Sequence, residues 1–134
     1  MTALSAIEGI GEKYAAKLKE AGVGSVEALL EAGATPKGRK ELAEKTGAGD
    51  ERIMDWVNRA DLFRVKGIGS EYSDLLEKAG VDTVAELATR KAANLYAKLV
   101  EVNAEKKLVR QMPTEAQVEA WIEFAKTLPK VIKY

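Results

Sequence analysis

The sequence predicts an all-α fold made of two repeated helical units, related by a pseudo-two-fold and closed by a C-terminal helix. Three observations predict it. Apolar residues recur at three- and four-residue steps through most of the chain, as on helices with one buried face. Most of the 11 glycines punctuate those stretches, and only 3 prolines and 6% aromatic residues occur. Finally, Ile7-Glu8-Gly9-Ile10-Gly11 returns 58 residues later as Val65-Lys66-Gly67-Ile68-Gly69, and each copy opens at once into an amphipathic helix.

Composition bounds the rest. A chain of 134 residues, 46% hydrophobic and 31% charged, fits one soluble globular domain, here of two units at about 1–61 and 62–134. The 21 basic and 21 acidic side chains cancel, whereas a dedicated nucleic-acid binder is usually basic. With no cysteine and no histidine, there are no disulfides, thiolate zinc sites, thiol nucleophiles or imidazole bases. Catalysis would need clustered carboxylates or a lysine of depressed pKa, and the acidic residues are instead spread among basic neighbours. No enzyme activity, catalytic residue, metal or cofactor is therefore expected. No apolar run approaches the ~18–20 residues of a membrane span. The first five residues lack the charged and apolar regions of a signal peptide, so a cytoplasmic location is expected and no membrane partner.

The elements follow in order. Residues 3–7 have room for one or two helical turns. A helix over 12–21 carries Tyr14, Ala15, Leu18 and Ala21 on one stripe and stops at Gly22. Ser25 is the expected N-cap of a short helix ending at Gly33. Thr35-Pro36 opens the next, which runs to Gly47. Asp50 is read as the cap of a helix bearing Ile53, Trp56, Val57 and Ala60. In the second half a helix over 70–79 stops at Gly80, and Asp82-Thr83 caps another short one. A helix over roughly 92–102 leads into a basic, irregular connection over 104–112. Pro113-Thr114-Glu115 then opens the last helix, with Val118, Trp121, Ile122 and Ala125 on its apolar side.

Ile53-x-x-Trp56-Val57-x-x-Ala60 matches Val118-x-x-Trp121-Ile122-x-x-Ala125 at an offset of 65 rather than 58, so the second half holds about seven extra residues. They are placed in the 104–112 connection. The Trp56 helix feeds the second Gly-Ile-Gly stretch, whereas no full helix precedes the first. The C-terminal helix and tail are therefore expected to fold back beside the first stretch; the alternative is a helix that only caps the core. Trp56 and Trp121 are read as core residues rather than base-stacking platforms. Tyr14 and Tyr72 are expected to pack their rings while the hydroxyls reach solvent or a backbone group.

In each copy two glycines bracket an isoleucine expected to face inward, and the amides at the start of the following helix favour an anion. The pattern resembles the helix-hairpin-helix motif, whose Gly-hydrophobic-Gly turn grips a nucleic-acid phosphate. At a larger scale the chain resembles an uncharacterised bacterial family of tandem helix-hairpin-helix proteins, a domain of unknown function. The residues that carry this are Ile7-Glu8-Gly9-Ile10-Gly11, Lys66-Gly67-Ile68-Gly69-Ser70-Glu71-Tyr72, Ala79-Gly80-Val81-Asp82-Thr83-Val84 and Lys98-Leu99-Val100-Glu101-Val102-Asn103. Such motifs occur in DNA ligases, repair nucleases and recombinases as duplex-binding modules without sequence preference.

The resemblance implies a non-enzymatic module with weak, sequence-independent affinity for duplex DNA. Gly9, Ile10, Gly11 and Lys13 form one implied site, and Arg64, Lys66, Gly67, Ile68, Gly69 and Ser70 the other. Lys106, Lys107 and Arg110 offer a phosphate contact outside the turns, or a solvated loop. The alternative partner is a protein: Glu8, Glu12 and Glu71 flank the turns, suit a helix N-terminus themselves, and would leave the turns as architecture. Oligomeric state is not legible in the sequence.

Overall fold

The computed structural model describes residues 2–134. Among them are eight α-helices and no strand, after a single 3-10 turn over Leu4–Ala6. The helices are α1 (Glu12–Glu20), α2 (Val26–Ala32), α3 (Pro36–Thr46), α4 (Asp50–Leu62), α5 (Ser70–Lys78), α6 (Val84–Leu87), α7 (Ala92–Lys106) and α8 (Glu115–Lys126).

Local chemistry sets most of these boundaries. The hydroxyls of Ser25, Thr35, Thr83 and Thr114 each accept a hydrogen bond from the amide three residues on, which satisfies an orphan donor of the first turn. Thr114 adds a capping box, because its own amide donates to the Gln117 side chain at 2.8 Å. Gly22, Gly47 and Gly80 take positive φ just past α1, α3 and α5, where a β-carbon would be strained. Two expectations need correction. Asp50 lies inside the first turn of α4 rather than capping it, so its carboxylate acts on the helix dipole. Residues 104–106, expected in an irregular connection, continue α7. That helix ends only at Lys107, which takes the left-handed conformation at φ 51°.

The chain divides into two compact units. One is Met1–Asp61 with Val131–Tyr134; the other is Leu62–Lys130. The first unit buries Ile7, Ile10, Leu18, Leu29, Ile53, Trp56 and Val57. The second packs Val65, Ile68, Leu75, Leu76, Leu87, Leu99, Val118, Trp121 and Ile122 into one cluster. Removing each such side chain from water stabilises the fold by about 1.5–3 kcal/mol.

The expected place of α8 beside the first Gly-Ile-Gly stretch is also corrected. The helix belongs to the second unit and packs on α6 and α7. Each turn has a tryptophan helix from its own unit behind it, Trp56 behind Gly9 and Trp121 behind Gly67. Only the tail joins the first unit. There the Lys133 amide donates to the Ala34 carbonyl at 2.7 Å, and the Arg39 guanidinium donates to the Lys133 carbonyl at 2.7 Å.

Candidate functional site

The two Gly-Ile-Gly stretches fold alike. The Ile10 amide donates to the Ile7 carbonyl and the Ile68 amide to the Val65 carbonyl, each at 3.1 Å, closing a four-residue turn. Gly9 and Gly67 occupy the third position of these turns at φ +96°, where a residue with a β-carbon is strained. The second glycine of each pair has a different role. Gly11 and Gly69 keep negative φ and are the N-caps of α1 and α5, with no side chain to satisfy the first amides. Ile10 and Ile68 are buried and pin the turns to the core, which leaves the glycine backbone at the surface.

Behind each turn stands an aromatic pair. The Tyr14 and Trp56 ring centroids are 5.1 Å apart and those of Tyr72 and Trp121 5.2 Å. Both tryptophans are at most 4% exposed, in the core position expected of them. The tyrosine hydroxyls diverge. Tyr72 donates to the Gln111 carbonyl at 3.0 Å, the kind of backbone group expected, whereas Tyr14 accepts from the Arg52 guanidinium at 3.0 Å at an exposed position.

That divergence gives the second turn a groove. Gly67, Gly69, Ser70, Glu71, Tyr72, Arg110 and Gln111 line a depression of about 480 Å³. Its far wall is the segment after α7, held at two points around Arg110. The Val109 amide donates to Asn103 Oδ1 at 3.0 Å, and the Tyr72 hydroxyl holds Gln111. Arg110 itself projects into solvent, with Nε 3.6 Å from Glu71 Oε1. Sequence reading placed Arg110 outside the turns because the tether that brings it in is a non-local hydrogen bond.

The other expected site residues divide. Lys13 and Lys66 are exposed beside their turns. Arg64 is engaged elsewhere: its guanidinium donates to the Pro129 carbonyl at 2.6 Å and anchors the end of the second unit. In the first unit Arg52 lies against Tyr14, its guanidinium carbon 5.4 Å from the ring centre, a cation that the sequence pattern did not single out. Another groove, of about 590 Å³ between α3 and α4, is lined by Arg39, Lys40, Glu44, Asp50 and Glu51 among others, three carboxylates against two cations, and the Arg39 guanidinium already donates to the Gly33 and Lys133 carbonyls. Among the described residues no group of three or more metal-ligating side chains is gathered, and no helix is long and apolar enough to cross a membrane.

The model of the domain of unknown function DUF4332 matches residues 8–128, a span that takes in all eight helices, the second turn and all but the first residue of the first turn. The chain belongs to this family. No solved structure matches it. Both glycine pairs and their tryptophan supports are therefore internal to the DUF4332 domain, and the tail that joins the first unit lies beyond the matched span.

Proposed function

We propose that this DUF4332 chain is a non-enzymatic binding module that takes a nucleic-acid phosphate at the turn before α5, with weak affinity for duplex DNA and no preference for sequence. One observation carries the reading. Glycine at the N-cap leaves the opening amides of α5 without a side-chain acceptor, at the edge of a groove that also presents Ser70 and Arg110. Such amides and the helix dipole favour an anion. Bonds to phosphate read no base, hence the lack of sequence preference. Zero net charge supplies no long-range attraction, hence the weakness. The turn before α1 is the poorer of the two, since Glu8 and Glu12 stand exposed around it.

The second reading is a protein-interaction or structural module. Glu71 favours it, because a first-turn carboxylate paired with Arg110 answers the dipole with no ligand at all. Backbone amide shifts during titration with a short duplex at low salt separate the two. Shifts gathered at residues 67–72 that fade as salt rises support phosphate binding. Unmoved amides at high duplex concentration reject it and turn attention to protein partners.

A further inference from the structure

The indole nitrogen of Trp121 is a donor that no fold contact uses. The residue is buried, only 4% exposed, and its ring packs on Tyr72. Among the described residues the nitrogen has no hydrogen-bond partner. It is not among the fully buried, unpartnered side-chain polar atoms of those residues, where Asn58 Oδ1 stands. It stands behind Gly67, 3.2 Å from the place a β-carbon on that residue would occupy. Gly67 is exposed and lines the groove at the start of α5. Gly67 places no side chain between that nitrogen and the surface.

We infer that the Trp121 N–H is the buried donor of the phosphate site at the second turn, hydrogen-bonding a phosphate oxygen of the nucleic-acid backbone while the opening amides of α5 hold the rest of the group. The inference rests on the binding function proposed above. The indole N–H is a donor with no acceptor beside it, so as a hydrogen-bonding group it suits an anion. A neutral N–H fixed by packing also loses no conformational freedom on binding, unlike an exposed arginine. This gives Gly67 two reasons to be glycine: its φ of +96° and the access it leaves to Trp121. Trp56 stands behind Gly9 in the same way, 3.4 Å from the corresponding point, but with Glu8 and Glu12 around the turn.

The chain has only two tryptophans, so an amide correlation spectrum shows two indole signals and follows the donor directly in the intact protein. With a short duplex at low salt, the Trp121 indole signal is expected to move in step with the amides of residues 67–72, and both to return as salt rises. Trp121→Phe, which keeps a ring and removes the N–H, is expected to weaken duplex binding about tenfold, the loss of one hydrogen bond to a charged group. If the amides move while the indole signal stays and the variant binds as tightly as the parent, the inference falls and the binding function stands. If neither amides nor indole move, both fall. A parallel titration with inorganic phosphate settles the source: an indole signal that answers phosphate and ignores duplex overturns the nucleic-acid assignment. The indole shift in the unmodified chain keeps the test decisive even if Trp121→Phe fails to fold.

Discussion

A β-carbon on Gly67 would stand 3.2 Å from the indole nitrogen of Trp121, closer than most real β-carbon contacts. The same relation joins Gly9 to Trp56 at 3.4 Å. The spacing explains why a tryptophan helix recurs in each unit. A turn that exposes glycine backbone has no side chain of its own to fill the space beneath it. The broad edge of an indole from α4 or α8 fills it instead. Turn and helix thus specify one another although they lie about fifty residues apart in the chain.

Gly67→Ala and Gly69→Ala should therefore differ sharply. At Gly67 the positive φ and the contact with Trp121 act together, and the change should cost about 1–3 kcal/mol. At Gly69 φ is −118° and nothing lies within 4 Å of the added carbon. There the lower entropy of the unfolded chain and the poorer N-cap nearly cancel, leaving about 0.5 kcal/mol either way. Thermal melts of the two variants decide the point. Equal losses would mean that the two glycines do not have the separate roles assigned to them.

Gly38→Ala tests packing against propensity. Alanine is better than glycine inside a helix by about 1 kcal/mol, which taken alone predicts a gain. A β-carbon at Gly38 would overlap the Ala32 carbonyl oxygen, a backbone atom fixed at the end of α2, and would crowd the Thr35 hydroxyl that caps α3. Overpacking of this kind costs about 1–3 kcal/mol and should outweigh the gain. A variant that melts higher than the parent would contradict the way α3 seats on α2.

Which parts of this were legible beforehand follows from the range of each interaction. The caps at Ser25, Thr35, Thr83 and Thr114 were readable because a cap is decided within four residues. The core faces were readable because helical period is local too. Alanine, glutamate and lysine at 104–106 are good helix formers, yet their basic surroundings and the repeat offset suggested a loop. What ends α7 is the conformation of Lys107, with Asn103 reaching forward to Val109. The anchoring of Arg64 was not legible for a similar reason. Its partner, the Pro129 carbonyl, lies 65 residues away, and no local pattern announces it. The position of α8 was half legible: the match of Trp121 to Trp56 made it the last helix of the second unit, while the short N-terminus argued for a place beside the first turn.

The N-terminal segment should be pH-sensitive at Glu27. The Thr2 amide and hydroxyl donate to its two carboxylate oxygens, each at 2.8 Å. The backbone hydrogen bond from Thr2 is the larger cause, followed by the hydroxyl, and together they hold the carboxyl below its ordinary value. A group whose pKa is lowered by folding stabilises the native state above its unfolded value, and that contribution disappears as pH falls through the folded value. The clamp should therefore be complete at neutral pH and should open below the usual carboxylate range. Carboxyl-carbon NMR titration should give Glu27 a midpoint lower than an unperturbed glutamate. Thr2→Ala, which keeps the amide donor, should return it part of the way. An ordinary midpoint in the parent would show that the clamp does not form in solution.

Salt dependence separates three of the charges around the second turn, given the phosphate site proposed for it. Glu71 competes with a phosphate for both the helix start and Arg110. Glu71→Gln should tighten duplex binding about two- to fivefold, the scale of one charge at a helix terminus. Arg110→Ala should weaken binding and reduce the slope of log affinity against log salt by about one unit, as one phosphate contact disappears. Arg64→Ala should leave that slope unchanged and lower the melting temperature instead, because Arg64 is committed to the Pro129 carbonyl. Fluorescence anisotropy over a range of salt measures all three. A slope that drops for Arg64→Ala and holds for Arg110→Ala would reverse the assignment: the phosphate would then lie on the Arg64 side of the turn, away from the groove that Tyr72 and Gln111 close.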